Sequence, residues 1–293
     1  MRFRQLSIVL ATCLVLSGCA SNRLAQFRSF SQAGAAYVKA SDVFLDQAGV
    51  AAVRGDSALL LKSRADLDEE QRRTAILTKN ELLGKRLVIL RQIKAHGRLL
   101  RDYFDVIGEM ADSKAPESLG IAAKGVYESL AKLSPVLKSA TIGGSSVSGA
   151  IPPVVSMVVG SLKVNALEKE LQERSALIER ELALQEAALS VLAHELQTDL
   201  EIELNVQNAR DVIGPYVSGS DVPQGWSAKR VEVLSAVVAS QTAGAASQAA
   251  NRLRLSFQKL VANQLGNDSL SSLIGDINVI LDLAEQINGT RRQ

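Results

Sequence analysis

Few side chains in this chain are of types suited to chemistry. There are two cysteines, Cys13 and Cys19, and two histidines, His96 and His194. His194-Glu195-Leu196-Gln197-Thr198 begins like a zinc-protease helix, where a second histidine four positions on would share one helical face. Thr198 stands at that position instead. One imidazole without thiolates makes a poor metal site, so both histidines are expected to be ordinary helix residues, with no metal and no cofactor. Gly143-Gly144-Ser145-Ser146 lacks the lysine and the spacing of a phosphate-binding loop. Ser145 has no base or orienting acid at a readable position, so a serine hydrolase is unsupported. The carboxylates fall mostly among opposite charges at helical spacing, where surface pairing accounts for them. No catalytic residue is nominated, and an enzyme is the least expected class.

The remaining chemistry belongs to the thiol of Cys19. Arg2 and Arg4 make a short basic start, and an apolar run follows from Leu6 to Leu16. That run is too short to cross a bilayer and has the length of a signal-peptide core. Leu16-Ser17-Gly18 then places small residues before Cys19, as a peptidase that grips extended backbone requires. This start resembles the signal peptides of bacterial lipoproteins, with Leu16-Ser17-Gly18-Cys19 as a complete lipobox. The resemblance covers little beyond Cys19 and carries no information about the fold. It implies removal of residues 1–18 and acylation of Cys19 with diacylglycerol and palmitate-type chains. Ala20 follows where an inner-membrane retention signal has aspartate, which implies sorting to the outer membrane, facing the periplasm. Two or three acyl chains hold a protein for long times, so no transmembrane helix is needed. Cys13 leaves with the signal and Cys19 is blocked, which excludes disulfides and thiolate metal sites in the mature chain.

Charge narrows the partners. The chain has 33 basic and 31 acidic residues; without Arg2 and Arg4 the count is 31 and 31. A neutral chain lacks the basic footprint of nucleic-acid binding and any bulk attraction to anionic lipid. The hydrophobic content is 47%, ample for a core, yet aromatic residues make up only 4%. That balance favours closely packed helices over sheets.

The elements that position these residues read as helices. Phe27, Phe30, Gly34, Tyr37, Ser41, Phe44, Ala48 and Ala51 recur at steps of three and four, the stripe of a packed helix. Gly55-Asp56-Ser57 predicts a break. One long helix, or two nearly collinear ones, is expected over 57–111, with Ile76, Leu83, Leu87, Leu90, Ile93, Leu100, Phe104, Ile107 and Ala111 on its inner face. The charged run from Asp66 to Arg73 reads as a solvated face. Pro116 predicts the start of a shorter helix. A second long helix is expected over 154–213, with Leu171, Ile178, Leu182, Leu189, Leu192 and Leu196 in register before a slip at Leu200 and Leu204. Gly214-Pro215 ends it, a loop spans 219–225, and helices follow over 227–265 and from Leu270 to Ile287.

Between the long helices, residues 139–162 contain no charge, while Lys138 and Lys163 flank them. Pro152-Pro153 and four glycines forbid one straight spanning helix, leaving two short apolar arms. Ile142, Ile151, Val154, Val155, Met157, Val158 and Val159 are the candidate contacts there, either buried where the chain turns or offered to a membrane or partner. In broad layout alone this is similar to helical pore-forming toxins, with an apolar tongue between long helices. The expected fold is all-α: an elongated helical bundle with a long antiparallel hairpin and an apolar Gly/Pro-containing tip. Its parts are a signal peptide (1–18), a lipid-anchored tether (19–26), a long-helix bundle (27–213) and C-terminal helices packed on it (227–288). The expected role is a lipid-anchored scaffold or interaction module whose helices bind a protein partner or a second copy. A membrane-active role for 139–162 is the alternative.

Overall fold

The computed structural model describes residues 2–112, 124, 128, 132, 137, 139–142, 145–146, 166–218, 221–240 and 244–289. For residues 2–21, 142, 145, 166, 236–240, 286 and 288–289 it describes the backbone alone. The protein is an all-α bundle. Helix α1 spans Arg2–Ser63, α2 Glu69–Asp112, α3 Ala166–Gln207, α4 Trp226–Ser240, α5 Ala245–Val261 and α6 Asn267–Gly289. Among the described residues, strand is limited to a two-residue antiparallel ladder, β1 (Thr141–Ile142) with β2 (Ser145–Ser146).

The bundle is built around α1. Its predicted stripe is buried in full: Phe27, Phe30, Gly34, Tyr37, Ser41, Phe44, Ala48 and Ala51. Val38, Ala40, Leu45 and Ala52 are buried as well, so only a narrow strip through Ala25, Ser29, Gln32, Ala36 and Lys39 faces water. Helices α2, α3, α5 and α6 cover the rest. Small residues let these neighbours approach closely. A Cβ at Gly34 would lie 2.5 Å from the Phe104 ring, and one at Gly55 would lie 2.8 Å from the backbone oxygen of Asp199. Phe104 meets Phe30 edge-on at 5.5 Å between ring centroids.

Helices α2 and α3 lie antiparallel, as the sequence predicts: Arg86 reaches Asp199 at one end, and His96 reaches Glu181 further along. The predicted registers of α3 and α6 are buried throughout. Several boundaries differ from expectation. No break occurs at Gly55; α1 continues to Ser63 because Gly55 sits against α3, and packing there outweighs glycine's weak helix preference. The turn falls instead at Arg64–Asp66, and a reciprocal capping box starts α2. In that box the Gln71 amide donates to Asp68 Oδ1 at 2.9 Å, and the Asp68 amide donates to Gln71 Oε1 at 3.0 Å. Residues 22–26, expected in the tether, belong to α1 and dock on the bundle. The Arg23 guanidinium donates to the carbonyl of Leu260 at 2.7 Å, and the Gln26 amide donates to that of Leu265 at 3.0 Å.

The second long helix does not stop at Gly214-Pro215. It widens into a π-helix over Asn208–Ile213 and makes one more turn, Gly214–Val217. Pro215 has no N–H and its ring would clash with a carbonyl four residues back; the wider turn accommodates both problems. The Gly214 amide bonds Ala209 O, five residues back, and Trp226 Nε1 donates to the Val212 carbonyl at 2.9 Å. The helix expected over 227–265 is two helices, α4 and α5.

Glycines report this packing directly. Gly34→Val is expected to lower the unfolding free energy by about 1–3 kcal/mol, because the Phe104 ring has to move. Gly84 has open space where a Cβ would stand, so Gly84→Ala is expected to raise it by about 0.5–1 kcal/mol. Urea unfolding at low protein concentration measures both.

Candidate interaction surface

From Val53 to Val88 the α1–α2 hairpin touches the bundle along one side only, through Arg54, Gly55 and Arg86 against α3, and only Gly55 in that span is buried. Its apolar side chains are therefore left in water. Leu61 is 63% exposed, Leu77 62%, Leu82 57% and Ile76 47%; Leu59, Leu87, Val88 and Val53 are exposed too. Ile76 and Leu87 belong to the predicted inner face of this helix, which α1 covers in full only from Leu90 onward, Leu87 reaching Gly49 of α1 while staying partly exposed. The turn that closes the hairpin is charged: Arg64, Asp66, Asp68, Glu69, Glu70, Arg72 and Arg73 are all exposed.

A second group lies at the same end, after α3. Tyr216 (69% exposed) stacks on Trp226 with 5.8 Å between centroids, and Arg230 lies over the Trp226 ring at 5.7 Å. Ile213, Val217, Val222, Val231 and Leu234 are exposed around them. Since α1 and α3 run parallel, with Arg23 near Glu168 and Arg54 near Glu203, both groups mark the end of the molecule remote from Cys19. An end of the molecule that exposes this many large apolar side chains is a candidate contact site.

Between the hairpin and α3 lies a cleft of about 990 Å³, lined by Leu59, Leu82, Leu83, Val88, Ile202 and the Ser139–Thr141 segment, among others. Ion pairs close its walls. Lys79 meets Asp56 at 3.1 Å, and Arg86 meets Asp199 at 2.6 Å with Glu195 at 4.0 Å. The Arg86–Asp199 contact is ionic rather than an aligned hydrogen bond, since Arg86 Nη2 and Asp199 Oδ2 are buried with no hydrogen-bond partner. Burial raises the Asp199 carboxyl above its ordinary 3.8 even with Arg86 beside it. Glu203 is raised by burial in the same way, against the pull of Arg54.

The sequence-nominated residues divide clearly. Cys19 lies in α1, and Ile142 lies in β1 on the flank of the cleft. Ile151, Val154, Val155, Met157, Val158 and Val159 lie outside the described residues. His194 is an exposed helix residue, as expected, but His96 is not ordinary. It is 4% exposed and sits in the core, with Nδ1 2.7 Å from Oε1 of the fully buried Glu181. Gln185 beside it donates to the Ile93 carbonyl at 3.2 Å. Such a pair has the chemistry of a base and its orienting acid, and here the core encloses it. The phenols of Tyr37 and Tyr103 are likewise buried, Tyr37 beside the Ser41 hydroxyl, and burial pushes both well above the ordinary tyrosine range. Among the described residues no group of three or more His, Cys, Asp or Glu could hold a metal ion, and no helix is long and apolar enough to cross a membrane. The sequence reading missed the hairpin end as an exposed surface. Its signal was Leu77, Leu82 and Val88 lying off the predicted inner face.

No protein-family model, curated protein or solved structure matches this chain.

The Arg86–Asp199 pair is open to test. Arg86→Met or Asp199→Leu alone leaves a charge stranded in the wall and is expected to cost about 2–4 kcal/mol, most of which the double variant recovers. The raised Asp199 carboxyl binds its proton more tightly in the native than in the unfolded chain. It therefore makes stability fall as pH rises through the carboxylate range, and Asp199→Asn is expected to remove that component. Urea unfolding at pH steps from about 3 to 7 measures the slope.

Proposed function

We propose that the protein is a lipid-anchored interaction module of the periplasm, held at the outer membrane by acyl chains on Cys19 and acting without catalysis. The observation that carries this reading is polarity along the long axis. The lipobox cysteine lies toward one end of α1, and the exposed apolar surface gathers at the other. From Asn22 to Ser63 the helix covers about 60 Å at 1.5 Å per residue. A rigid strut of that length separates the anchor from the contact surface, so a partner is met well away from the lipid headgroups.

Burial of Arg23 and Gln26 on the loop around Leu260 and Leu265 supports the same reading. It leaves little free chain between Cys19 and the bundle, so the acylated end and the body move together. The buried His96–Glu181 pair acts in this reading as core specification, and the hairpin end supplies binding.

Two measurements test it. Cys19→Ala is expected to move the protein from the membrane fraction to the soluble periplasm, and unchanged membrane fractionation would reject the anchor. Photo-reactive side chains at Leu61 or Tyr216 are expected to capture protein in intact cells, whereas the same probe at Val279 on α6 should not. Equal capture at all three positions would remove the case for a directed contact end.

A further inference from the structure

The cleft between the hairpin and α3 has the size and the lining of a small-molecule site. Its volume is about 990 Å³. Sites for organic ligands combine apolar walls with a few polar groups that converge on one place. Three helices bring both kinds of side chain here. On α2, Lys79, Leu82, Leu83 and Arg86 follow at helical steps and share a face; on α3, Glu195, Asp199 and Ile202 do the same. Asp56 and Leu59 of α1 complete the lining on the third side.

The charges of this lining do not balance. Among the described residues, Lys79, Lys85 and Arg86 line the cleft together with Asp56, Glu195 and Asp199. Lys85 is held at 2.6 Å by Glu81, which is not part of the lining, and Lys79 is held at 3.1 Å by Asp56. That leaves Arg86 alone to serve two carboxylates, Asp199 at 2.6 Å and Glu195 at 4.0 Å. With Glu81 counted, three cations face four carboxylates, so one negative charge is in excess. It falls where Arg86, Glu195 and Asp199 are mostly buried, and a charge withdrawn from water there is costly without a partner. The Asp199 carboxyl registers the excess. Burial raises it, and Glu195 and Asp56 add to the rise against the pull of Arg86.

Arg86 also holds an unused donor. Its Nε is buried with no hydrogen-bond partner, although the head of the same side chain lies against Asp199. A buried donor left unpaired carries a desolvation cost that an acceptor placed in the cleft would remove.

We propose that the cleft binds a small amphiphilic amine, with its ammonium between Asp199 and Glu195, a neighbouring hydroxyl or carbonyl oxygen accepting from Arg86 Nε, and its apolar body along Leu82, Val88 and Ile202. Each part of that ligand answers one feature of the lining. The ammonium neutralises the fourth carboxylate, and in a partly buried setting that attraction is stronger than in open water. A carboxylate head would add a second unpaired negative charge, and a neutral head would leave the first, so the site selects by sign as well as by shape. The apolar body covers Leu82 and Val88, which are otherwise exposed. Such binding needs neither a protein partner nor the acyl anchor, and its absence would leave the interaction-module reading untouched.

Calorimetric titration of the full chain with four matched probes tests the site: phenylalaninol, phenethylamine, phenethyl alcohol and hydrocinnamate. Phenylalaninol carries both ammonium and hydroxyl and is expected to bind tightest, with phenethylamine several-fold weaker. The alcohol and the carboxylate are expected to bind at least tenfold more weakly than phenylalaninol. Glu195→Gln, which removes the excess charge, is expected to weaken both amines at least tenfold without weakening the alcohol. Gly84 lines the cleft, and no atom lies within 4 Å of where its Cβ would be. Gly84→Trp therefore adds bulk at the wall and is expected to weaken all four probes while helical content stays unchanged. Equal binding of the four probes would mean apolar partitioning alone and would overturn the proposal. So would a preference for hydrocinnamate, no binding of either amine at millimolar concentration, or amine binding that neither variant changes.

Discussion

Burial of α1 on nearly all sides is the constraint from which the other features follow. A helix covered by four neighbours needs small residues where backbones and rings approach, and α1 supplies Gly34 against Phe104 and Gly55 against Asp199. It also needs bulk between those points, and Phe27, Phe30, Tyr37 and Phe44 fill it with nearly half of the chain's phenylalanine and tyrosine. Interiors are packed to near-crystalline density, so a helix seated this way has little freedom to slide or rotate. The register of α1 against α2, α3, α5 and α6 is therefore set once for the whole bundle.

The same constraint explains the polar groups in the core. Where four helices meet around one, some inward positions fall on side chains that are not apolar. His96 with Glu181, and Gln185 with the Ile93 carbonyl, pair across helices. Glu179 and Glu186 on α3 meet Arg254 on α5. Such contacts contribute little net stability, because desolvation offsets most of the attraction. They do penalise alternative registers, since a one-turn slip would leave each charge buried alone. In an Ala- and Leu-rich bundle, whose apolar surfaces discriminate poorly between registers, that penalty matters.

Much of the helix content was legible in sequence because a 3.6-residue stripe is a local signal. The stripes of α1, α3 and α6 lie where the spacing places them. The errors came where a distant contact overrules local preference. Gly55 reads as a stop, but α3 packs across it; Gly214-Pro215 reads as a stop, but a π-turn and Trp226 take up the freed backbone groups. The helix expected over 227–265 is interrupted near Gly244, within a small-residue stretch that carries no apolar stripe to register. The hairpin end was misread for a different reason. Periodicity says which side chains share a face and nothing about whether a neighbour extends far enough to cover it, so Ile76 reads as core while it stands in water, and Leu87 is covered only in part.

Why the exposed end suits protein better than lipid is a matter of where its charges sit. A helical hairpin that entered a bilayer tip-first would carry Arg64, Asp66, Asp68, Glu69, Glu70, Arg72 and Arg73 through the hydrocarbon, at a cost of a few kcal/mol for each charge. Among these residues the side chain of Asp68 caps α2 and that of Arg72 donates to the Leu67 carbonyl, and the others would gain nothing in lipid to offset desolvation. Lying flat is no better, because the apolar residues of α2 do not share one side: Leu82 and Val88 line the cleft while Leu77 stands outside it. Apolar surface spread round a charged-tipped hairpin matches helices laid against it from several directions, where each seam buries a few leucines and the charges stay in the rim. That distribution ties the proposed contact end back to α1. As far as Ala52 the helix is covered on nearly all sides, and beyond it only Gly55 is buried, against α3, so the hairpin's apolar side chains stay largely uncovered.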